Sequence, residues 1–382
     1  MDTIGLVKGM GMEGYHGKGT GTNRLKLCRV GPTTVRQQDC FKPPSSLRTV
    51  HLNKLLGKAH ELLHTGLAKS SRKTYVAGKR RHFNFCKLVG KKPIPTTECT
   101  LTLFGTHLAT SNTSLRTIKV YLAAVRHMHV CKGLHKQFNY QVTPRLQLIL
   151  RGIKKRQAGR RFTKPCLPII IPIPRSIKTA LSKEAPSYDS TTFWAMCCLA
   201  FFGFLRVSEF TIPAENSYDS SSHLPLGDIA VDNRTKPRLL QLFLKQSKTD
   251  PYKQGTKVYM GTTDSTVCPV KAVLSYLQKR STRPGPLFVT EKGKGWTRST
   301  FCARLKSVLH KLKLDNNCYN THSFRIGAAT SASLAQLPDD HIQMLGRWRS
   351  NAFQQYIRPP PKELAKLSKT IVTGHHPRAR TV

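Results

Sequence analysis

The residues with the strongest chemical claim lie in the second half of this 382-residue chain, and they are a set of cations with one tyrosine. Phe202-Gly-Phe-Leu-Arg206-Val-Ser-Glu209 sets an arginine just after an apolar stretch that reads as a buried helix, with a carboxylate three residues on to orient it. Gln246-Ser-Lys248-Thr places a lysine at the tip of a turn-rich segment. In Thr321-His322-Ser-Phe-Arg325 the histidine and arginine stand at i and i+3, on one face of a helix N-terminus. Gly346-Arg347-Trp348 follows, and Tyr356 comes ten residues after Gly346 and 31 after Arg325. Guanidiniums clamp oxyanions through bidentate charge-assisted bonds, and a phenol can hold a transferred group covalently. The set therefore offers metal-free group transfer at an anionic centre.

Other chemistries lack their residues. The chain has no GxxxxGK[ST] phosphate loop and no HExxH. Asp228, Asp232 and Glu291 assemble into a two-metal site only on paper, and their contexts read as turn or surface positions. The eleven cysteines include no CxxC pair, and Cys197 and Cys198 are adjacent, which suits free thiols better than zinc or a disulfide framework. Neither a metal nor a cofactor is expected.

The order of these motifs, an arginine with RxxE, a hairpin lysine, HxxR, a glycine step and a tyrosine, resembles the tyrosine recombinase or phage integrase-like family. The wording Gly346-Arg-Trp-Arg-Ser-Asn-Ala-Phe-Gln-Gln-Tyr356-Ile-Arg is most similar to recombinases of eukaryotic mobile elements of the Crypton and DIRS type. The resemblance covers about residues 48–370. It implies an α+β multidomain fold: an N-terminal all-α core-binding (SAM-like) domain, then a mainly α catalytic domain with a small antiparallel β-sheet.

It also implies roles. Tyr356 would attack a DNA phosphodiester and store the bond as a 3′-phosphotyrosine, while Arg206 and Arg325 clamp the non-bridging oxygens of the pentacoordinate state. Lys248 would protonate the leaving 5′-oxygen and His322 would assist proton transfer at Tyr356. Phosphodiester energy is conserved, so no ATP is required. Glu209 is supporting. The family has His or Trp directly after the glycine, whereas this chain has Arg347 there and Trp348 next. Either Trp348 supplies stacking and hydrogen bonding after a one-residue helical adjustment, or Arg347 itself donates to the phosphate. Double-stranded DNA is the expected partner, bound by a homo-oligomer, a tetramer on two sites. Two further readings are a mobile-element-derived DNA-binding protein without cleavage, and a type IB topoisomerase-like enzyme that relaxes single duplexes.

The rest of the chain must position these groups and hold the DNA. Lys and Arg number 63 against 19 Asp and Glu, a net charge of +44, which calls for a polyanionic partner. Residues 1–165 hold 32 and 5, or +27, and residues 166–382 hold 31 and 14, or +17. The first half reads as a DNA-gripping module. Residues 1–43 are Gly-, Thr- and Lys-rich without apolar periodicity and read as a flexible leader. Over 48–155 helical periods recur: Leu52 to Leu63, Thr74 to Leu88, Ile118 to Met128 behind the cap Ser114, and a short one at Leu146 to Ile153. Their basic residues Arg72, Lys73, Lys79, Arg80, Arg81, Arg116, Lys119, Lys154, Lys155 and Arg156 are the expected DNA contacts. Arg160 and Arg161 extend them into a basic, proline-rich linker over 156–174.

The catalytic domain is expected over 175–372 and a basic tail over 373–382. Within the former, a helix over 191–204 precedes Arg206, strands at 239–245 and 256–260 form a hairpin, and helices fall at 269–280, 297–313, 321–336, 339–346 and 350–357. The apolar run Leu167 to Ile173 is broken by Pro168 and Pro172 and is too short to span a bilayer. With no signal-peptide core, a nuclear site after cytosolic synthesis is expected, and the basic run at 151–164 suits import.

Overall fold

A computed structural model describes residues 47–134, 143–158, 166–233, 235–248, 250 and 252–373. The expected leader over 1–43, Arg160 and Arg161, and the tail from 374 lie outside the described residues. The chain divides into two units, one ending at Leu67 and one from Ala68 onward. In the first, helix α1 (Leu47–Thr65) leaves Leu52, Leu55, Leu62 and Leu63 exposed.

In the second unit, four helices share one apolar core: α2 (Lys69–Leu88), α3 (Glu98–Thr110), α4 (Leu115–Val130) and α5 (Pro144–Ala158). Phe85, Leu101, Phe104, Leu108, Ile118, Leu122, Val125, Leu146 and Ile153 fill it. Each such side chain contributes roughly 1.5–3 kcal/mol on burial, which lets these helices keep their basic residues outward. Ser114 accepts from the Thr117 amide at 3.3 Å, as a cap should. Helix α3 is not anticipated by the sequence, because Thr100-Leu-Thr-Leu103 alternates like a half-buried strand. Thr97 caps it, and Leu101, Phe104 and Leu108, spaced for one helical face, are all buried. Glu98 then accepts from the amides of Arg145 (2.7 Å) and Leu146 (3.2 Å), placing a carboxylate at the positive end of α5.

From Cys166 onward a larger core forms around α7 (Tyr188–Phe202), a helix buried on nearly every side. Residues 159–165 of the expected linker lie outside the described residues, and over 166–174 it is extended only in part. Leu167 donates to Cys318 (2.8 Å) and Ile169 to Ser323 (3.0 Å), and then α6 (Pro172–Ser182) begins. Pro172 and Pro174 lie in its first turn, where no intrahelical N–H is needed.

Helix α8 (Val207–Phe210) follows α7. The sheet is antiparallel in the order β1 (Ile229–Val231), β2 (Leu239–Leu244), β3 (Thr256–Gly261). Leu240 stands opposite Met260 and Leu242 opposite Val258, all four buried, so one face meets the core. The hairpin is the one expected; β1, only three residues long, is not legible in the sequence. After it come α9 (Pro269–Leu277), α10 (Arg298–Lys311), α11 (Ser323–Leu334) and α12 (Asp339–Gly346). Residues Asn351–Tyr356 form a 3-10 helix where an ordinary helix is expected, and α13 (Pro361–Thr373) closes the described chain. The second unit is thus mainly helical with one small antiparallel sheet. Among the described residues, no helix is long and apolar enough to cross a membrane.

Candidate active site

The site is built where α7 ends. Gly203 closes that helix, and Phe204 turns the chain through a positive φ of 48°. Arg206 then stands at the start of α8, with its side chain 13% exposed. Glu209 is buried and uses both oxygens: Oε1 accepts from Arg206 Nη1 (2.9 Å), and Oε2 accepts from the Arg206 amide (3.0 Å) and from Arg347 Nη2 (2.9 Å).

Arg325, in the first turn of α11, is fully buried. Its Nη1 donates to the Phe204 carbonyl and its Nη2 to the Gly346 carbonyl, so it ties the end of α7 to the end of α12. Its guanidinium carbon lies 4.3 Å from the Trp348 ring centre and 5.7 Å from that of Tyr356. Burial, then the charges of Arg206 and Arg347, lower its pKa to about 9, which leaves it cationic at neutral pH. Burial likewise lowers that of Arg347, against the pull of Glu209. Two of these guanidiniums are bonded to Glu209 and the third, Arg325, feels its charge, so three cations stand beside one carboxylate and the excess positive charge is held away from water. An anion entering here meets donors that need little reorganisation.

The step from α12 to the tyrosine sends Arg347 and Trp348 to different sides. Helix α12 ends at Gly346, and Arg347 adopts a left-handed conformation (φ 56°, ψ 42°). That turn sends the Arg347 side chain back to Gly203, whose carbonyl accepts from Nη1 at 2.9 Å, and to Glu209. Trp348 is released to the other side. A side-chain carbon at Gly346 would fall 1.5 Å from the Trp348 ring, so only glycine permits this packing. The Trp348 ring meets Tyr356 at 5.0 Å between centres, and its buried Nε1 has no partner among the described residues. Tyr356 is half-buried at the end of its 3-10 helix. Thr330 holds that segment, donating to the Tyr356 carbonyl (3.2 Å) and accepting from the Arg358 amide (2.9 Å).

His322 precedes α11, and its amide donates to Asn320 Oδ1 at 2.8 Å. The residue is exposed, yet its ring is partly desolvated. That desolvation lowers its pKa, and Arg298, Arg206, Arg325 and Lys248 lower it further, so the imidazole is neutral at pH 7. The same set of charges brings exposed Lys248, on the β2–β3 connection, into the field of this histidine. Gln246 Nε2 donates to Ser222 (3.0 Å), and Lys245 pairs with Asp228 (3.1 Å), which steadies the base of that connection.

The structure thus gathers Arg206, Glu209, Arg325, Arg347, Trp348 and Tyr356 into one contact network, with His322 and Lys248 coupled to it by charge. Arg298, at the first position of α10, was not expected from the sequence. Its only signal is that it opens a helix ahead of the HxxR segment, and its electrostatic reach to His322 is non-local. The basic residues expected to contact DNA are not part of this network. Arg72, Lys73, Arg80 and Arg81 are exposed on α2, where Lys79 is half-buried. Arg116 and Lys119 are exposed on α4, and Lys154, Lys155 and Arg156 on α5. Asp228 pairs with Lys245, and Asp232 accepts from the amides of Arg238 and Leu239, as surface and turn carboxylates do.

No family model and no curated protein sequence matches the chain. Solved structures do match its fold. One is the Tn1549 transposon integrase in complex with transposon right end DNA, at a TM-score of 0.53 and 13% identity, covering 83% of this chain and 98% of that one. Another is the XerH site-specific recombinase bound to palindromic difH substrate in a post-cleavage complex, at 0.52 and 14%, covering 79% of each chain. The fold of this chain is therefore the one found in these site-specific recombinases and transposon integrases.

Proposed function

We propose that this protein is a site-specific DNA recombinase or integrase that cuts and rejoins DNA through a covalent 3′-phosphotyrosine at Tyr356, without metal or ATP. The observation that carries the reading is the buried group of three guanidiniums, Arg206 and Arg347 bonded to Glu209 and Arg325 beside them, set against the aromatic pair Trp348 and Tyr356. A scissile phosphate placed there has its non-bridging oxygens facing Arg206 and Arg325. Attack by the Tyr356 oxygen forms one P–O bond and breaks the bond to the 5′-oxygen, so charge collects where those cations stand. His322, neutral at pH 7, accepts the phenolic proton, and Lys248 supplies a proton to the departing 5′-oxygen. Rejoining runs the same steps backwards with a 5′-hydroxyl as nucleophile.

The exposed basic residues of α2, α4 and α5 bind phosphates along the duplex, which makes affinity fall steeply with salt. Two duplexes are exchanged by an oligomer, a tetramer in this reading. The exposed Leu364, Ile371 and Val372 of α13 support it as surface in want of a partner. The wording from Gly346 to Arg358 favours a mobile-element origin of the Crypton and DIRS kind.

The test is a nicked suicide duplex carrying the recognised ends. Wild type is expected to form a denaturant-resistant adduct at the 3′ phosphate, mapped to Tyr356. Tyr356→Phe is expected to bind the duplex within about twofold of wild type and form none, since only a hydroxyl is lost. An adduct formed by the Phe variant overturns the assignment.

A further inference from the structure

We infer that Arg347 is a positioning residue acting through Glu209: by occupying Oε2 of that carboxylate it keeps Arg206 from closing on Glu209 as a fork, and leaves an edge of the Arg206 guanidinium open to phosphate. The inference rests on the DNA-cleavage reading above.

An arginine and a glutamate three residues apart, both withdrawn from water, tend towards a bidentate pair, because two parallel N–H···O bonds satisfy both groups. Such a pair consumes the donors that a phosphate would need. Here Arg206 reaches Glu209 through one side-chain bond, Nη1 to Oε1 at 2.9 Å. Oε2 is taken by the Arg206 amide (3.0 Å) and by Arg347 Nη2 (2.9 Å). Arg347 is fixed from its other end by the Gly203 carbonyl, 2.9 Å from Nη1, where the negative end of α7 favours a cation. Its side chain is 11% exposed and aims at α7, and the left-handed backbone that sends it there is strained for a residue with a long side chain. To touch DNA it would have to leave these partners. Arg347 thus stands where the resemblance expects a phosphate donor and instead guards the geometry of one.

The experiment is a double-mutant cycle with Glu209→Gln, read by single-turnover cleavage of the nicked duplex and by DNA binding at several salt concentrations. Arg347→Ala is expected to lower the cleavage rate at saturating DNA by about 10- to 100-fold, with affinity within about threefold, since a misplaced clamp costs rate before binding. In the Arg347→Ala, Glu209→Gln double variant the neutral amide cannot capture Arg206, so several-fold of the lost rate should return. Millimolar guanidinium should also restore part of the Arg347→Ala rate.

A double variant no faster than Arg347→Ala overturns the inference. So does a salt slope reduced by about one phosphate contact in Arg347→Ala, which would mark a direct contact. Should Arg347→Ala not fold, Arg347→Lys, which keeps the charge but lacks the planar fork, is carried through the same cycle. Wild type that forms no adduct removes the parent reading as well. Wild type that does, with an additive cycle, removes this one alone.

Discussion

The Arg325 guanidinium lies 4.3 Å from the centre of the Trp348 ring while its nitrogens hold the carbonyls of Phe204 and Gly346. One side chain therefore sets the distance between two helix ends and also faces the aromatic pair that carries the proposed nucleophile.

Arg325→Lys tests that double duty. An ammonium on a flexible stem cannot bridge both carbonyls, so Phe204 is left with only its long bond from Arg347 Nη2 (3.5 Å) or Gly346 is left unpaired, at about 1–3 kcal/mol. Urea denaturation should show that loss, and cleavage should fall by about 100-fold or more, a drop larger than the stability change explains. Cleavage within a few-fold of wild type would separate Arg325 from the reaction.

Trp348→Phe keeps a ring against Arg325 and Tyr356 and removes the indole N–H, which has no partner among the described residues. Stability should change by less than about 1.5 kcal/mol. If that N–H serves the phosphate, cleavage should fall by about 10-fold with DNA affinity unchanged. Trp348→Ala should instead cost about 3–5 kcal/mol, because a core aromatic is lost. An unaltered cleavage rate in the Phe variant would leave Trp348 a packing role only.

Arg298→Gln tests the electrostatics at His322. The folded pKa of His322 lies below its ordinary 6.5 because of desolvation and the four cations, Arg298 foremost among them. Neutral imidazole is the working form, so cleavage should be lost as pH falls through that depressed value. Removing Arg298 lets the pKa rise, and the acid limb of the pH–rate profile should move to higher pH. An unmoved limb would show that another group controls it.

A second pH effect belongs to stability, in the helical bundle. His82 and His129 are fully buried. His82 Nε2 donates to Pro93 (3.2 Å), while His129 Nδ1 donates to Val125 (2.9 Å) and its Nε2 accepts from the Thr96 amide (3.0 Å). Burial lowers both pKa values, and His129 adds to the effect on His82 as Lys132 does on His129. The unfolded chain therefore takes up protons first. Stability is complete above about pH 7 and declines as pH falls through 6.5 towards the folded values, by up to about 1.4 kcal/mol per pH unit for each proton. His129→Gln, which keeps an acceptor for Thr96, should flatten the acid side of a melting-temperature profile by about one proton. An identical slope would count against it.

The pattern that reads clearly from sequence is the local one. The RxxE and HxxR spacings, the cap at Ser114 and the hairpin alternation each follow from neighbours a few residues apart, and each appears where expected. What is lost is decided at long range. Helix α3 hides behind a Thr-Leu alternation and is settled by the core it joins. Pro172 and Pro174 break a helix or begin one depending on which turn they fall in. The role of Arg347 depends on one backbone dihedral and on a carboxylate 138 residues earlier, and the charge of Arg298 reaches His322 only after folding.

The extended run at 166–169 has its own consequence. A carbon added at Gly327 would sit 2.0 Å from the Ile169 carbonyl oxygen, a backbone atom that cannot step aside. In an exhaustive substitution library scored for recombination, Gly327 should therefore look as intolerant as Arg325, although it touches nothing that reacts. The library's silence at that position would record the seam by which the incoming chain is stitched to α11, and only a folding readout beside the activity score would tell the two kinds of intolerance apart.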